Sequence, residues 1–346
     1  MATRGVSDFR SDTVTRPTAE MLAAMARAEV GDDVLGDDPT VKRLEEIAAG
    51  RFGKAAALFV ASGTMGNQCA IAAQTRPGDE IVIERDAHVF LHEGGALARI
   101  PSVQIRPLAG RDGALDPAEV EAAIRSTDIH DPPTRLVALE QTHLESGGQV
   151  VPLATFRAVR EVADRHRLRV HCDGARIFNA SVAAGVPVAD YARHAHSVTF
   201  CLSKGLCCPV GSVVVGDADF IAECRRVRKW MGGAMRQSGY LAACGIVALE
   251  SMVERLAEDH ALARTLAEKI AEIPGLSIDP DRVATNVLFV GTGKRPAAPI
   301  ADRLAKDGVL ALALRPHAIR FVTHHDVGPD DAKRAVAALR RATAGE

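Results

Sequence analysis

The sequence predicts an α/β protein in which a large domain, built on a mostly parallel and doubly wound sheet, precedes a small C-terminal α+β domain. Apolar segments of strand length alternate with helical segments over roughly two hundred residues. The pattern then restarts after a long helical segment that breaks at Pro274-Gly275. With 346 residues the chain is too long for one typical core. We expect an N-terminal arm over residues 1–15, the large domain over 16–250 and the small domain over 251–346.

The chain begins with an arm and two helices. Residues 10–13, which read RSDT, are rich in hydrogen-bonding side chains and precede any regular pattern. Apolar residues at helical spacing predict a helix over 18–28. A loop of glycine and aspartate then ends at Asp38, which is placed to cap a helix that has Pro39 in its first position.

The strands and helices that follow alternate along the chain. We predict strands at residues 56–61, 80–83, 103–108, 135–140, 168–173, 198–205 (its start) and 211–215. Helices are predicted up to residue 74, up to 97, and over 116–125, 153–165 and 218–230, followed by an amphipathic segment over 237–273. The small domain is predicted to contain a strand from 286, a helix over 300–306, strands within 309–314 and 319–322, and a last helix from 329.

Lys204 is the most informative single residue. It follows the apolar segment VTFCLS and therefore emerges at the carboxyl end of a predicted buried strand. Buried lysine is rare unless it is paired, and a desolvated amine is a good nucleophile for Schiff-base chemistry. A lysine at the start of a solvated loop is the ordinary alternative, and on these residues alone it is the more common case.

A second feature is the turn Ser62-Gly63-Thr64-Met65-Gly66-Asn67 between a strand and a helix. Small residues let the backbone approach a ligand, and the free N–H groups and dipole of a helix N-terminus favour phosphate. Steric need at a tight turn explains the same residues equally well.

Polar residues at strand ends connect these features. His143, Asp173 and Lys204 each follow a predicted strand, and ligands of doubly wound sheets gather at the carboxyl ends of the strands. Together with the Ser62 turn, a lysine and a buried carboxylate suit pyridoxal phosphate (PLP), which needs an amine partner, an acid facing its pyridine nitrogen and an anion site. His88 could lie against the pyridine ring or could only pack at a helix start, and both alternatives stay open.

Composition excludes several classes of function. A net charge of −2 gives no sign of a nucleic-acid partner, and no apolar run approaches bilayer length. The first residues lack the apolar core of a secretion signal. The seven cysteines have no metal-ligand spacing, so we expect buried thiols in a reducing cytoplasm and no bound metal.

Longer motifs identify a family. The segments RSDTVTRPT, VGDDVLGDDPTV, SGTMGN, EQTH, GGQVVP, HCDGARIFNA, CLSKGL, PVGS, RKWMGGAMRQSG and IRFVTHHDV occur in register from about Phe9 to Val327. In this order the motifs resemble those of the low-specificity L-threonine aldolases, which are PLP-dependent enzymes of fold type I. The resemblance covers nearly the whole chain.

The resemblance implies roles for individual residues. Lys204 matches the Schiff-base lysine, Asp173 the residue that faces the pyridine nitrogen, and His88 the histidine that stacks on the ring. The other implied cofactor ligands are Ser62, Gly63, Thr64, Arg176, Lys229 and, from a partner subunit, Arg236. The implied ligands of the substrate are Ser11, Arg176 and Arg320 at its carboxylate and His143 at its β-hydroxyl.

The activity implied by the resemblance is retro-aldol cleavage of L-threonine, L-allo-threonine or related β-hydroxy amino acids to glycine and an aldehyde. His143 is our first choice for the base and His88 the second, because imidazoles titrate near neutral pH. Another PLP reaction on the same scaffold, such as β-elimination, stays open, as does a non-catalytic binding protein. The resemblance also implies a homodimer or homotetramer with shared active sites.

The sequence departs from the family pattern at three positions. Leu35 stands where an aromatic residue, commonly tyrosine, is usual, which suggests tolerance of bulky substrates such as phenylserine. Cys207 and Cys208 replace smaller residues beside the lysine, which suggests sensitivity to oxidants.

Overall fold

The fold is described from a computed structural model, which covers residues 5–344. After a short strand β1 (Ser7–Asp8), seven strands form the central sheet. They are β2 (Ala56–Val60), β3 (Glu80–Glu84), β4 (Gln104–Leu108), β5 (Thr134–Glu140), β6 (Arg169–Asp173), β7 (Ser197–Cys201) and β8 (Ser212–Gly216).

The central sheet is mostly parallel, as predicted. Its order is β2-β8-β7-β6-β5-β3-β4. Strands β4, β3, β5, β6 and β7 pair in parallel, and β8 is antiparallel to both of its neighbours. Because β2 and β7 are both antiparallel to β8, they run in the same direction. The carboxyl ends of β2, β5, β6 and β7 therefore lie at one edge, where the site is formed.

Helices cover this sheet and connect its strands. They are α1 (Ala19–Arg27), α2 (Pro39–Phe52), α3 (Gly63–Ala72), α4 (His88–Leu91), α5 (Ala96–Arg99), α6 (Pro117–Ala123), α7 (Leu153–His166), α8 (Ile177–Ala184), α9 (Val188–Arg193), α10 (Ala218–Trp230) and α11 (Gly239–Val247). Asp38 caps α2 by accepting a hydrogen bond from the Val41 N–H at 3.0 Å, with Pro39 in the first position as predicted.

One prediction about the helices was wrong. The helix expected to continue to residue 97 is divided into α4 and α5, because Gly94 and Gly95 adopt positive φ angles of 63° and 73° between them. The predicted amphipathic segment over 237–273 is helical over most of its length. It consists of α11, a π-helical turn (Ala248–Met252) and α12 (Leu256–Ala271).

A separate three-stranded antiparallel sheet forms the C-terminal part of the fold, in the order β11-β12-β9. The elements of this C-terminal part are β9 (Val287–Gly291), α13 (Ala297–Lys306), β10 (Val309–Leu310), β11 (Leu312–Arg315), β12 (Ala318–Val322) and α14 (Pro329–Thr343). Strand β1 pairs in parallel with β10, so the N-terminal arm is attached to this part of the molecule.

The buried apolar residues form distinct clusters. The largest runs from Met21 to Leu256 across one face of the central sheet and its helices. Another joins Phe9 to residues 263–342. The domain limits at residues 15 and 250 stay a prediction, and residues 1–4 of the arm and 345–346 of the small domain lie outside the described range.

The cysteines are buried, as expected. All seven lie within residues 5–344 and none forms a disulfide there. Burial raises the pKa of Cys207 to about 12 and that of Cys208 above its ordinary value. Because both thiols stay protonated and covered, the structure argues against the predicted sensitivity to oxidants.

No helix within residues 5–344 is long and apolar enough to cross a membrane.

Candidate active site

Lys204 lies three residues beyond β7, at the edge where the parallel strands end, and is only half-buried. Its backbone carbonyl accepts hydrogen bonds from the Thr15 hydroxyl at 2.9 Å and from the Cys207 N–H at 2.9 Å. The lysine backbone is therefore held by the N-terminal arm, and the charge of its side chain acts on Asp12 and His88.

Asp173, the last residue of β6, is an oriented and buried carboxylate. Its Oδ2 accepts from Asn67 Nδ2 at 2.9 Å, and its Oδ1 accepts from the Ala175 N–H at 3.1 Å. Asn67 is held in turn by His171 Nε2, 3.2 Å from Asn67 Oδ1, and His171 Nδ1 lies 2.9 Å from Ser197 Oγ. Burial lowers the pKa of His171 to about 4, so this ring is neutral. The network orients Asp173 without neutralising its charge, which suits a cationic ligand.

His88 is fixed at both its backbone and its ring. Its backbone N–H donates to Glu140 Oε2 at 2.7 Å, and its Nδ1 lies 3.3 Å from Glu93 Oε1. The Glu93 carboxylate is fully buried and also accepts from Asn67 Nδ2 at 2.9 Å and from Gln68 Nε2 at 2.7 Å. One asparagine amide thus joins the carboxylate behind His88 to the carboxylate of Asp173.

The charges around His88 favour its protonated form. Ring and carboxylate atoms of His88, Glu93 and Asp173 lie within 4.8 Å of one another. Burial opposes a charged ring, but the Glu93 hydrogen bond and the charge of Asp173 raise the pKa of His88 above its usual value, against the opposing charge of Lys204. Burial and the charge of Asp173 also raise the pKa of Glu140.

The Ser62 turn forms the N-terminus of α3. Ser62 Oγ caps the helix by accepting from the Met65 N–H at 3.2 Å, which leaves the N–H groups of Gly63 and Thr64 for an anion. A Cβ on Gly63 would lie only 2.8 Å from Cys201 Sγ, so no side chain fits there. Ser212 Oγ lies 3.7 Å from the same point and is buried without a hydrogen-bond partner among the described residues.

Two arginines lie near Asp12, and one of them pairs with it. Arg176 donates from Nε and Nη2 to Asp12 at 2.8 and 2.6 Å. Burial would raise the pKa of Asp12, but the charge of Arg176, its hydrogen bonds and the nearby Lys204 hold that pKa well below its usual range. Arg320, on β12, donates from Nη2 to the Arg10 carbonyl at 3.1 Å.

Among residues 5–344, no carboxylate bonds to Arg320. Its Nε is buried without a hydrogen-bond partner in the part of the chain that the structure describes. Burial, followed by the positive charge of Arg176, lowers the pKa of Arg320. Of these two buried guanidinium groups, only Arg176 bonds to a carboxylate among the described residues. This arrangement suits an anion.

Ser11 adjoins this cluster as the cap of a 3-10 turn (Asp12–Val14). Its Oγ accepts from the Thr13 N–H at 3.2 Å and from the Thr13 hydroxyl at 2.9 Å.

His143 is buried and both of its ring nitrogens are engaged. Nε2 lies 3.0 Å from Glu84 Oε2, and Nδ1 lies 2.8 Å from Ser146 Oγ. Burial opposes protonation, but the hydrogen bond to Glu84 and the charge of Glu140 raise the pKa of His143. No ring nitrogen of His143 is therefore free to meet a substrate in this arrangement.

The two basic residues implied for the phosphate lie on the surface. Lys229, near the end of α10, is exposed beside a groove of about 950 Å³ that Val34 and Trp230 also line. Arg236 is exposed and pairs with Asp32 at 2.8 Å.

Several site residues were not predicted. Asp12, Glu84, Glu93, Asn67 and Glu140 all contact predicted site residues. Two of these residues could have been predicted, because Asn67 lies in the predicted turn and Asp12 lies in the polar arm. No signal in the sequence pointed to Glu93 or Glu84, because their hydrogen-bond partners lie on other elements.

Comparison with known proteins agrees with this geometry. The family model of the β-eliminating lyases matches residues 8–292. The low specificity L-threonine aldolase of Escherichia coli (strain K12) is 43% identical over 334 residues, covering 96% of this chain and 98% of that enzyme. Leishmania major threonine aldolase has the same fold, with a TM-score of 0.81 at 21% identity, covering 96% of this chain and 98% of that one.

A structure of SPT with PLP also shares the fold, with a TM-score of 0.74 at 16% identity, covering 97% of this chain and 87% of that one. The neighbours and the sheet order agree on the predicted fold type I. The chain therefore belongs to the β-eliminating lyase family and, within it, to the family of the low-specificity L-threonine aldolases.

Proposed function

We propose that this protein is a PLP-dependent aldolase that cleaves L-threonine and related L-β-hydroxy-α-amino acids to glycine and an aldehyde. The observation that carries the proposal is the meeting of Lys204, the buried carboxylate of Asp173 and the N-terminus of α3 at one edge of the sheet. The names of the relatives support the same reaction.

The residues at this edge fit PLP. Asp173 is a buried carboxylate for the pyridine nitrogen, and the uncapped N–H groups of Gly63 and Thr64 suit the phosphate. The orphaned hydroxyl of Ser212 is one donor that such a phosphate would satisfy. When bound, PLP supplies an electron sink that stabilises negative charge at the substrate Cα.

The protein's own groups bind and orient the substrate. Arg320 has an unused buried Nε, and Arg176 has its Nε and Nη2 held by Asp12. We therefore assign the main contact with the substrate carboxylate to Arg320, with Arg176 and Ser11 beside it. Lys204 is assigned as the Schiff-base lysine.

His88 is the better candidate for the base that accepts the β-hydroxyl proton. Its Nδ1 faces Glu93, and its side chain is 27% exposed to solvent. His143 has both nitrogens engaged and its side chain is 2% exposed. This ranking reverses the order expected from the sequence, and it leaves His143 a supporting role through Glu84 and Glu140.

Product analysis tests the proposal. L-threonine, L-allo-threonine and phenylserine are supplied in parallel to the PLP-loaded enzyme, and glycine, aldehyde, keto acid and ammonia are measured. We expect glycine and the matching aldehyde in equal amounts. Keto acid and ammonia would instead support β-elimination.

We also propose an oligomer with shared sites. Leu35 and Trp230 are 72% and 69% exposed, which is unusual for large apolar side chains. Trp230 lines the groove, and Leu35 follows Val34, which also lines it. Leu35 lies in a loop fixed by Asp33, which pairs with buried Arg228 at 2.7 Å. A partner subunit on this surface would cover the exposed side chains and bring Lys229 and Arg236 toward a neighbouring phosphate site.

Light scattering combined with size-exclusion chromatography tests this assembly. We expect a mass of two or four chains, and a mass of one chain would contradict the proposal.

In the same assembly, Leu35→Tyr is expected to lower the preference for phenylserine over threonine, and an unchanged preference would count against the role of Leu35.

We place the enzyme in the cytoplasm. Seven buried and unpaired cysteines suit a reducing compartment.

A further inference from the structure

The carboxylate of Glu93 lies directly behind His88 and has no other cationic neighbour among the described contacts. It is fully buried, and its three hydrogen-bond partners are His88 Nδ1, Asn67 Nδ2 and Gln68 Nε2. A buried carboxylate is costly unless hydrogen bonds or a positive charge compensate it. Glu93 is therefore kept in a position where only the His88 ring can neutralise it.

We propose that Glu93 is a positioning residue for catalysis: it binds the Nδ1–H of His88 and so leaves Nε2 as the nitrogen that exchanges protons with the substrate. The inference rests on the proposed function, because it concerns the same site. The contact between Glu93 Oε1 and His88 Nδ1 supports this assignment, since an ionised carboxylate can only accept a hydrogen bond and a neutral imidazole carries a single N–H.

The hydrogen-bond network fixes both carboxylate oxygens of Glu93. Gln68 Nε2 donates to Oε2, while Oε1 faces both Asn67 and His88. The Asn67 amide also donates to Asp173, so its orientation is fixed. Both Glu93 oxygens are held in place, and the tautomer of His88 follows from them.

Other charges act on the same ring and have to be considered together. The titratable groups that face His88 are Glu93, Asp173, Glu140, Lys204 and, on its own helix, the His92 ring at 5.5 Å between centroids. Glu93 is the only acid among them that bonds to the ring itself. Loss of its charge is therefore expected to act on the ring more strongly than loss of a more distant acid.

The variant Glu93→Gln removes the negative charge at this position but keeps a hydrogen-bond acceptor for His88. A glutamine oxygen can still accept from His88 Nδ1 and Asn67. Its amide would face Gln68, whose Oε1 is buried without a hydrogen-bond partner among the described residues and can accept after a flip of that side chain. Glu93→Ala removes both the charge and the contact.

Glu80→Gln is the matched control. Glu80 is also a fully buried glutamate, but it lies at the opposite end of β3 and pairs with Arg125. The three variants and the unchanged protein are compared as PLP-loaded enzymes, in two measurements. One is the pH dependence of kcat for L-threonine cleavage. The other is the ¹⁵N spectrum of labelled histidine, with His88 assigned from its loss in His88→Asn.

In the spectrum, we expect neutral His88 to carry its proton on Nδ1 in the unchanged enzyme, in Glu93→Gln and in the control. Glu93→Ala is expected to shift the proton partly to Nε2. In the rate profile, we expect the acidic limb to move to lower pH by about one unit in Glu93→Gln. In Glu93→Ala, we expect kcat to fall about tenfold to hundredfold with a smaller change in KM.

A proton on Nε2 in the unchanged enzyme would overturn the proposal. An acidic limb in Glu93→Gln that matches the Glu80→Gln control would do the same. The spectrum can be read even if the enzyme makes no glycine. Failure of the proposed function is therefore distinguishable from failure of this assignment.

Discussion

Arg320 differs from Arg176 because no carboxylate among residues 5–344 bonds to its guanidinium group. Arg176 has Asp12, whereas Arg320 contacts only the Arg10 carbonyl and keeps a buried Nε without a partner among residues 5–344. Its positive charge also opposes that of Arg176. Such a residue is costly in the free protein and is stabilised when an anion binds.

The first prediction follows from this contrast. Arg320→Gln is expected to raise the KM for L-threonine about 10- to 100-fold, because a hydrogen bond to a charged group is lost. We expect the thermal midpoint without substrate to stay equal or to rise, because a repulsive charge is removed. Steady-state kinetics and thermal unfolding measure the two effects.

The control for this prediction is Arg315→Gln. Arg315 lies on the neighbouring strand β11 and is 44% exposed in its pair with Glu145. Its loss is expected to leave KM unchanged. A KM in Arg320→Gln no higher than in this control would contradict the assignment.

The second prediction concerns the two histidines. His88→Asn is expected to lower kcat by about 10²- to 10⁴-fold, the usual effect of losing a general base. His143→Asn is expected to lower kcat less and thermal stability more, because the buried Glu84 carboxylate loses its contact with the His143 ring and keeps those from the Asp86 and Gly110 N–H groups. Equal effects on kcat would contradict the choice of His88, and a larger effect in His143→Asn would favour His143 as the base.

At the scale of secondary-structure elements, the loop after β7 contains a strained cysteine. Cys207 has a φ angle of 64°, in the left-handed region that favours glycine, whereas Cys208 is not among the residues with a positive φ angle. Both side chains are buried. A glycine would adopt the backbone conformation of Cys207 without this strain.

The third prediction compares the two cysteines. Each change to glycine removes one buried side chain, but only Cys207→Gly also relieves strain of about 1–2 kcal/mol. We therefore expect Cys207→Gly to be more stable than Cys208→Gly by about 1 kcal/mol or more. Urea unfolding measures the difference, and equal stabilities would contradict the strain at Cys207.

The sequence predicted elements well where local signals are strong. Helix α10 (Ala218–Trp230) matches its predicted range, and the Asp38 and Ser62 caps mark true helix starts. It failed where tertiary contacts decide the structure. Helices α8 and α9 were not predicted, and the glycines at 94 and 95 divide a segment whose apolar pattern suggested one helix.

In the candidate site, too, features with a local sequence signal were predicted and features set by tertiary contacts were not. Lys204 and Asp173 were predictable because strand ends of a parallel sheet share an edge. The Asp12–Arg176 pair joins residues 164 positions apart, and no periodicity reports such a contact. The occupied nitrogens of His143 were likewise invisible in the sequence, although they decide which histidine can act as a base.

At the scale of the whole molecule, buried histidines make stability depend on pH. Burial lowers the pKa of His171, His196 and His260 to about 4 each. The unfolded chain takes up these protons near pH 6.5, whereas the folded protein does so only near pH 4. Stability from these groups is therefore present above pH 6.5 and is lost as the pH falls toward 4.

The fourth prediction is a decrease of the free energy of unfolding between pH 6.5 and 4. The raised pKa values of His88 and His143 act oppositely, since their contribution is complete below pH 6.5 and is lost above it. Urea unfolding of the holoenzyme across this range measures the slope. His260→Gln is expected to flatten it, because glutamine can still accept from Asn179 but does not titrate. An unchanged slope would contradict the role of His260.

The central claim is that Lys204, Asp173 and the Ser62 turn together make a threonine-cleaving PLP site. The most direct measurement is the amount of glycine, acetaldehyde, 2-oxobutanoate and ammonia formed per L-threonine consumed, with Lys204→Ala as the matched control. We predict one glycine and one acetaldehyde per threonine in the unchanged enzyme, and a loss of turnover in Lys204→Ala supplied with the same PLP. Formation of 2-oxobutanoate and ammonia, or full turnover without Lys204, would contradict the account.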